Sequence, residues 1–212
     1  MKTPSRRTLW TRRMAKNPGR QTRCSVGIPP SPLHGAALSS PIRSVSPMGS
    51  VLGIDPSLRG TGLALVERDA AGDFSLKSFE VIDLRSSERV VADCLCAIFQ
   101  RMGAVIEQHK PAAVALEQPI HVQNVKTAQS LGAVRGVILV AARLKNFTID
   151  EYPPLRVKQS ISGYGRASKE QVARMVKALL HLPENLPHDA ADAAAVALCH
   201  FFTRARGLPL TA

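Results

Sequence analysis

The pattern of apolar positions changes character at about residue 48. From Val51 onward these positions fall into short runs and helical periods, and the first 47 residues show neither. Val51 to Ile54 is an apolar run that ends in Asp55, Pro56 and Ser57. Thr61 to Val66 predicts a second strand and Phe74 to Leu84 a third with partial alternation, the pair separated by the polar turn Asp69 to Asp73. Three strands with short connections predict an antiparallel meander. Apolar residues at Val90, Val91, Leu95, Ile98, Met102 and Ile106 predict a helix over about 88–109, with Ser86 or Ser87 as its cap. Pro111 opens the run AAVALE, a fourth strand ending in Glu117. Residues 122–145 are helical in pattern, and Gly132 and Gly136, one turn apart, predict close approach to a neighbouring backbone. Phe147 to Tyr152 predicts a fifth strand, stopped by Pro153 and Pro154. Helices follow at about 155–161, 168–180 and 188–204, the middle one N-capped by Ser168. The order predicts an α/β fold: a five-stranded mixed sheet, antiparallel on one side and parallel on the other, flanked by helices.

Charge divides the chain at the same place. Residues 1–47 hold nine of the 28 Lys and Arg, seven of the 15 Pro, and no acid; the first acid is Asp55. Removing those nine leaves 19 basic against 16 acidic residues, so the folded part is only mildly basic despite a net charge of +12. Nucleic-acid affinity in the body must therefore come from local placement of charge. The basic extension cannot bury enough apolar surface to offset its conformational entropy and is expected to be disordered. An upstream translation artefact with the true start at Met48, a DNA-binding tail, or an Arg- and Ser-rich transit peptide would each have this composition. No secretory apolar core precedes a cleavage site, and secretion is not expected. The domain reading is an extension over 1–47, a folded domain over 48–206 and a short tail over 207–212. Cys24, Cys94, Cys96 and Cys199 lack zinc-type spacing and read as buried free thiols of a reduced compartment. The apolar stretches are interrupted by charge, as in GVILVAARLK, so no membrane span is expected and the protein reads as soluble.

Four carboxylates stand where plain structure does not ask for them. Asp55 ends the first strand and Glu117 the fourth, and a carboxylate at the end of an apolar strand must be solvated, paired or bound to a cation. Asp189 and Asp192, three apart in PHDAADAAAVAL, share one face of a helix's first turn. Each has a plainer role open to it. Asp55 before Pro56 can close a turn, and Asp189 can stabilise a helix dipole for about 0.3–1 kcal/mol. If strands one and four are neighbours and the last helix crosses their ends, all four converge. Oxygen-only ligands suit Mg²⁺, with Mn²⁺ as a substitute. Two such ions, roughly 4 Å apart, activate water and stabilise the leaving oxygen of a phosphodiester, giving a 5′-phosphate and a 3′-hydroxyl.

The blocks GIDPSLRGTG, ALEQ, SLGAVRGVILVAA, VKQSISGYGRASKEQV and HDAADAAAVALCH, in this order, resemble RuvC-type Holliday-junction resolvases. The resemblance runs from about Val51 to about Phe201. It implies an RNase H-like fold, a homodimer, a four-carboxylate site for two Mg²⁺ ions carried onto Asp55, Glu117, Asp189 and Asp192, and symmetric nicking of four-way junction DNA in recombination and repair. It also implies functional lysines at Lys158 and Lys169, which make sense as phosphate-neutralising groups. Arg135 matches the family and is open to a structural reading as well. A branch-migration complex of the RuvA–RuvB type and a cytoplasmic location (organellar, if 1–47 is a transit peptide) are further implications. Two positions depart from the pattern. Ser57 stands where relatives commonly have Gly, and Ile120 stands where they often carry a base-contacting aromatic. Isoleucine can wedge but cannot stack, so junction opening or sequence preference is expected to differ. The alternatives are a YqgF-type nuclease acting on RNA and a noncatalytic DNA-binding module. An actin-like ATPase would need two such domains and a second phosphate loop.

Overall fold

In the computed structural model the described residues are 49–85, 90–119 and 124–205, all within one compact unit. The apolar run after Met48 forms β1 (Gly49–Asp55), which turns into β2 (Gly60–Arg68) and then β3 (Phe74–Asp83), giving the expected meander. The β1–β2 turn is closed by the buried Thr61, whose hydroxyl donates to the Ser57 carbonyl at 2.5 Å. A serine is therefore accommodated at position 57. The chain then crosses over through helix α1 (Val91–His109) to β4 (Ala113–Glu117), and through α2 (Val125–Leu144) to β5 (Ile149–Tyr152). These crossovers are what parallel pairing requires. The sheet order is β3-β2-β1-β4-β5, with β1 antiparallel to β2 and parallel to β4, and β4 parallel to β5. Three helices complete the chain: α3 (Pro154–Ser162), α4 (Lys169–Leu179) and α5 (His188–Ala205).

Strand side chains alternate between faces, and both faces are covered. Leu52, Ile54, Leu63, Leu65, Val114 and Leu116 pack against Ile98, Met102 and Ile106 of α1 and Val134, Ile138 and Ala142 of α2. Val51, Ala64, Val66, Ala113 and Ala115 meet the alanine-rich α5, with α3 and α4 beside it. Alanines at 190, 191, 193, 194, 195 and 197 let α5 approach the sheet closely. Gly53 and Gly62 let it approach further. A Cβ on Gly53 would overlap the Ala193 carbonyl and the Ala197 backbone nitrogen, and one on Gly62 would overlap the Asp189 backbone. At its far end α5 is clasped to β5: Tyr152 Oη lies 3.0 Å from His200 Nδ1, and Arg204 donates to Asp150 at 2.8 Å. Burial pushes the His200 imidazole down to about 4, so it is neutral there.

Several expectations need correcting. Helix α1 starts at Val91 after Val90, whose side chain makes no capping bond; Ser86 and Ser87 lie outside the described residues. Pro154 does more than stop a strand. It occupies the first turn of α3, where its missing N–H is no loss. Ser168 does cap α4, in a reciprocal box with Gln171. Gly132 and Gly136 make no close approach, since a Cβ on either meets nothing within 4 Å. Their spacing marks one side of α2, and that side turns away from the core. Cys94 and Cys199 are buried thiols as expected, but Cys96 is exposed. Helix α2 is also long and apolar enough, at mean hydropathy 1.2, to cross a membrane by length and composition, contrary to the sequence reading. Here it packs one flank on the sheet through Val134, Ile138, Ala141 and Ala142. Residues 1–47 and the tail from 206 lie outside the described residues, and Ser86, Ser87 and Ile120 do as well.

The glycines sort into two kinds by this packing. Gly53→Ala and Gly62→Ala should each force α5 off the sheet and lower stability by about 1–3 kcal/mol in urea unfolding of the full chain. Gly132→Ala should leave it unchanged or raise it by up to about 1 kcal/mol, through helix propensity alone.

Candidate active site

The site follows from strand parity. Asp55 shares the face of Val51 and Gly53, and Glu117 shares that of Ala113 and Ala115, the face α5 covers. Ile54 pairs with Leu116 in parallel register, so the two carboxylates end neighbouring strands side by side. They are close enough that each bears on the other's protonation. Gly62, the cross-strand partner of Asp55, lies under the backbone of Asp189, which fixes where the first turn of α5 sits. One turn on, Asp192 joins Asp55 and Glu117 in lining a cavity of about 100 Å³. Lys158 of α3 and Lys169 of α4 line the same cavity, with Val157, Val172 and Ala195 as its apolar wall.

Electrostatics in this cavity are those of an acid surplus. Burial, then the negative charges of Glu117 and Asp192, push Asp55 up to about 8. Burial, then Asp192, push Glu117 up to about 7, against the opposing effect of the Asp55 hydrogen bond and of Lys169 and Lys158. Both carboxyls of the pair are therefore raised toward neutral pH, where the pair retains a proton. The Lys169 ammonium sits 3.2 Å from Asp192, whose charge raises the lysine above its usual range.

Asp189 behaves differently. It does not line the cavity, and its Oδ2 accepts a hydrogen bond from the Arg85 guanidinium at the rim. The expected convergence is thus three carboxylates in one cavity and a fourth beside it, close enough that its charge still raises Asp55. Among the described residues, no group of three or more His, Cys, Asp or Glu is gathered tightly enough to hold a metal ion. The donor set fits Mg²⁺ or Mn²⁺ in kind, being oxygen only and short of positive charge. Arg135 lies elsewhere, its fork donating two bonds of 2.6 Å to Glu151. Ile120 is outside the described residues. Arg85 was not anticipated from the sequence. The only signal for it was Gly60, a side-chain-free position opposite Asp83 at the end of the β2–β3 pair.

The profile of one protein family, crossover junction endodeoxyribonuclease RuvC, matches residues 51–200. The chain belongs to the RuvC family. The RuvC of Caldicellulosiruptor saccharolyticus is 41% identical over 154 residues, covering 72% of this chain and 92% of that protein. The solved Thermus thermophilus RuvC is 35% identical with a TM-score of 0.67, over 74% of this chain and 96% of that one. A second structure shows T. thermophilus RuvC in complex with a Holliday junction substrate, at 32% identity and the same TM-score. The mixed five-stranded sheet with helices on both faces is the RNase H-like architecture of the RuvC structures.

In this cavity the raised carboxyl groups carry a stability cost with a definite sign. Asp55 has a folded value near 8 against about 3.8 unfolded, so its contribution is full below pH 4 and is lost as pH rises toward 8. In EDTA, Asp55→Asn should therefore melt several degrees above wild type at pH 8, with the gap closing as pH falls toward 4. A constant gap across that window in thermal melts would contradict the assigned crowding.

Proposed function

We propose that this chain resolves Holliday junctions by divalent-metal-dependent nicking of two strands. The observation that carries the reading is the single cavity in which Asp55, Glu117 and Asp192 meet Lys158 and Lys169. Asp55, Glu117, Asp192 and Asp189 would hold the ions. When bound, two such ions supply an activated water and stabilise charge on the leaving 3′ oxygen. The chain's own groups do the rest. Asp55 and Glu117 would hold such an ion as carboxylates, since its positive charge would reverse the crowding that raises them. Lys169 is then free to leave Asp192 and, with Lys158, to neutralise the phosphate being cut. Val157, Val172 and Ala195 keep bulk water from one wall, which strengthens each of these interactions.

Two symmetric cuts need two sites, and the outer face of α1 and α2 supports a homodimer. Leu95, Cys96, Phe99, Ala133, Val137 and Val140 line an open apolar groove of about 420 Å³. Val125, Val140 and Leu144 of α2 are more than half exposed. A monomer rarely leaves so continuous an apolar strip to water. A second copy related by a twofold axis would cover it. A RuvA–RuvB-type branch-migration complex is the partner implied by the family.

Asp55→Asn should abolish Mg²⁺-dependent cutting of a four-way junction while leaving junction affinity within about twofold, because it removes a ligand and no phosphate contact. Lys169→Ala should lower kcat more than affinity. Gel assays on a junction, a linear duplex and a structured RNA decide it, and preferential cutting of the RNA would overturn the junction reading. For the dimer, Phe99→Glu should shift sedimentation from two copies to one.

A further inference from the structure

Two basic side chains occupy the carboxylates of the site, and only one of them belongs to the cavity. Lys169 sits on Asp192, whereas Arg85 reaches in from the end of β3 to Asp189. Arg85 is also held at its base. Its backbone N–H donates to Asp83 Oδ1 at 3.0 Å, and its Nη1 lies 3.5 Å from Asp83 Oδ2. The guanidinium thus spans two acids, one at the end of β3 and one on α5. Its path crosses Gly60, where a Cβ would overlap the guanidinium and stand 3.0 Å from Asp189 Oδ2. The absence of a side chain at position 60 is what lets the two meet. Asp189 is meanwhile not among the residues lining the cavity that holds Asp55, Glu117 and Asp192. About half of the Arg85 side chain is exposed, so it can withdraw into water without leaving a buried charge behind.

We propose that Arg85 is a positioning residue that competes with the divalent ion for Asp189, holding this carboxylate outside the site until an ion displaces it. This rests on the reading of Asp189 as a metal ligand. Once displaced, the guanidinium keeps Asp83 as a partner and stays at the mouth of the cavity. A cation there is placed to meet the phosphate that follows the ion in, and a guanidinium suits that contact by its paired donors. The fourth ligand is thereby withheld from the empty site and released on loading.

The test is Mn²⁺ binding to the full chain, followed by electron paramagnetic resonance without DNA. Arg85→Gln should bind Mn²⁺ about threefold to fivefold tighter than wild type, the size expected for a half-exposed ion pair. A general field effect of the lost charge would do the same, so the comparison is repeated in an Asp189→Asn background. There the substitution at position 85 should change Mn²⁺ affinity by less than about 1.5-fold. An equal gain in both backgrounds, or no gain in the first, overturns the proposal while leaving the metal site intact. Wild-type Mn²⁺ binding that Asp55→Asn does not weaken overturns the metal-site reading, and the role of Arg85 with it.

Discussion

The seating of α5 on bare backbone governs the rest of this molecule. Helix and sheet approach through Gly53 and Gly62, positions where even a methyl group would collide with the helix backbone. That contact sets the height and rotation of the first turn of α5, and so the height of Asp189 and Asp192 above the ends of β1 and β4. An ordinary apolar contact would hold the helix further out and leave these carboxylates short of Asp55 and Glu117. The alanines of α5 serve the same end, since they bury surface without adding thickness.

Bringing acids together has an electrostatic cost, and the fold meets it in two ways. Within the cavity, Asp55 and Glu117 share a proton, and Lys169 covers Asp192. Outside it, Arg85 covers Asp189. The site without metal is therefore a set of partnered acids and not a ready cage. Under the proposed function, these ion-paired and protonated groups would exchange partners as ions and phosphate enter. The cations that would leave the carboxylates on that reading have the right sign for a DNA backbone.

Much of this was legible in the sequence because it depends on local pattern. Apolar runs located all five strands, and the capping signal at Ser168 located α4. The parity of Asp55 and Glu117 follows from counting back along their own strands. What sequence could not supply was facing. Gly132 and Gly136 have the spacing of a packing seam, yet they point away from the core, and the seam lies at Gly53 and Gly62 within strands. Position in a strand gives a glycine's face, but only the crossing helix decides whether anything lies against it. Arg85 was hidden for a related reason. It is 104 residues from Asp189, and its one signal, the bare Gly60, lies on another strand. Arg135 shows the reverse, a motif position whose visible partner is Glu151 and not the cavity.

Both lysines of the site ride on one small unit. Lys158 and Lys169 belong to consecutive helices joined by a six-residue link, tightened where the Ser162 hydroxyl donates to the Lys158 carbonyl and accepts from the Tyr164 N–H. The acids, by contrast, are mounted on the sheet and on α5. The basic side of the cavity is thus one helix pair, seated on α5 through Val157, Ile161, Val172 and Val176. Any movement of either helix would therefore carry its lysine and the packing on α5, the mount of Asp189 and Asp192, together.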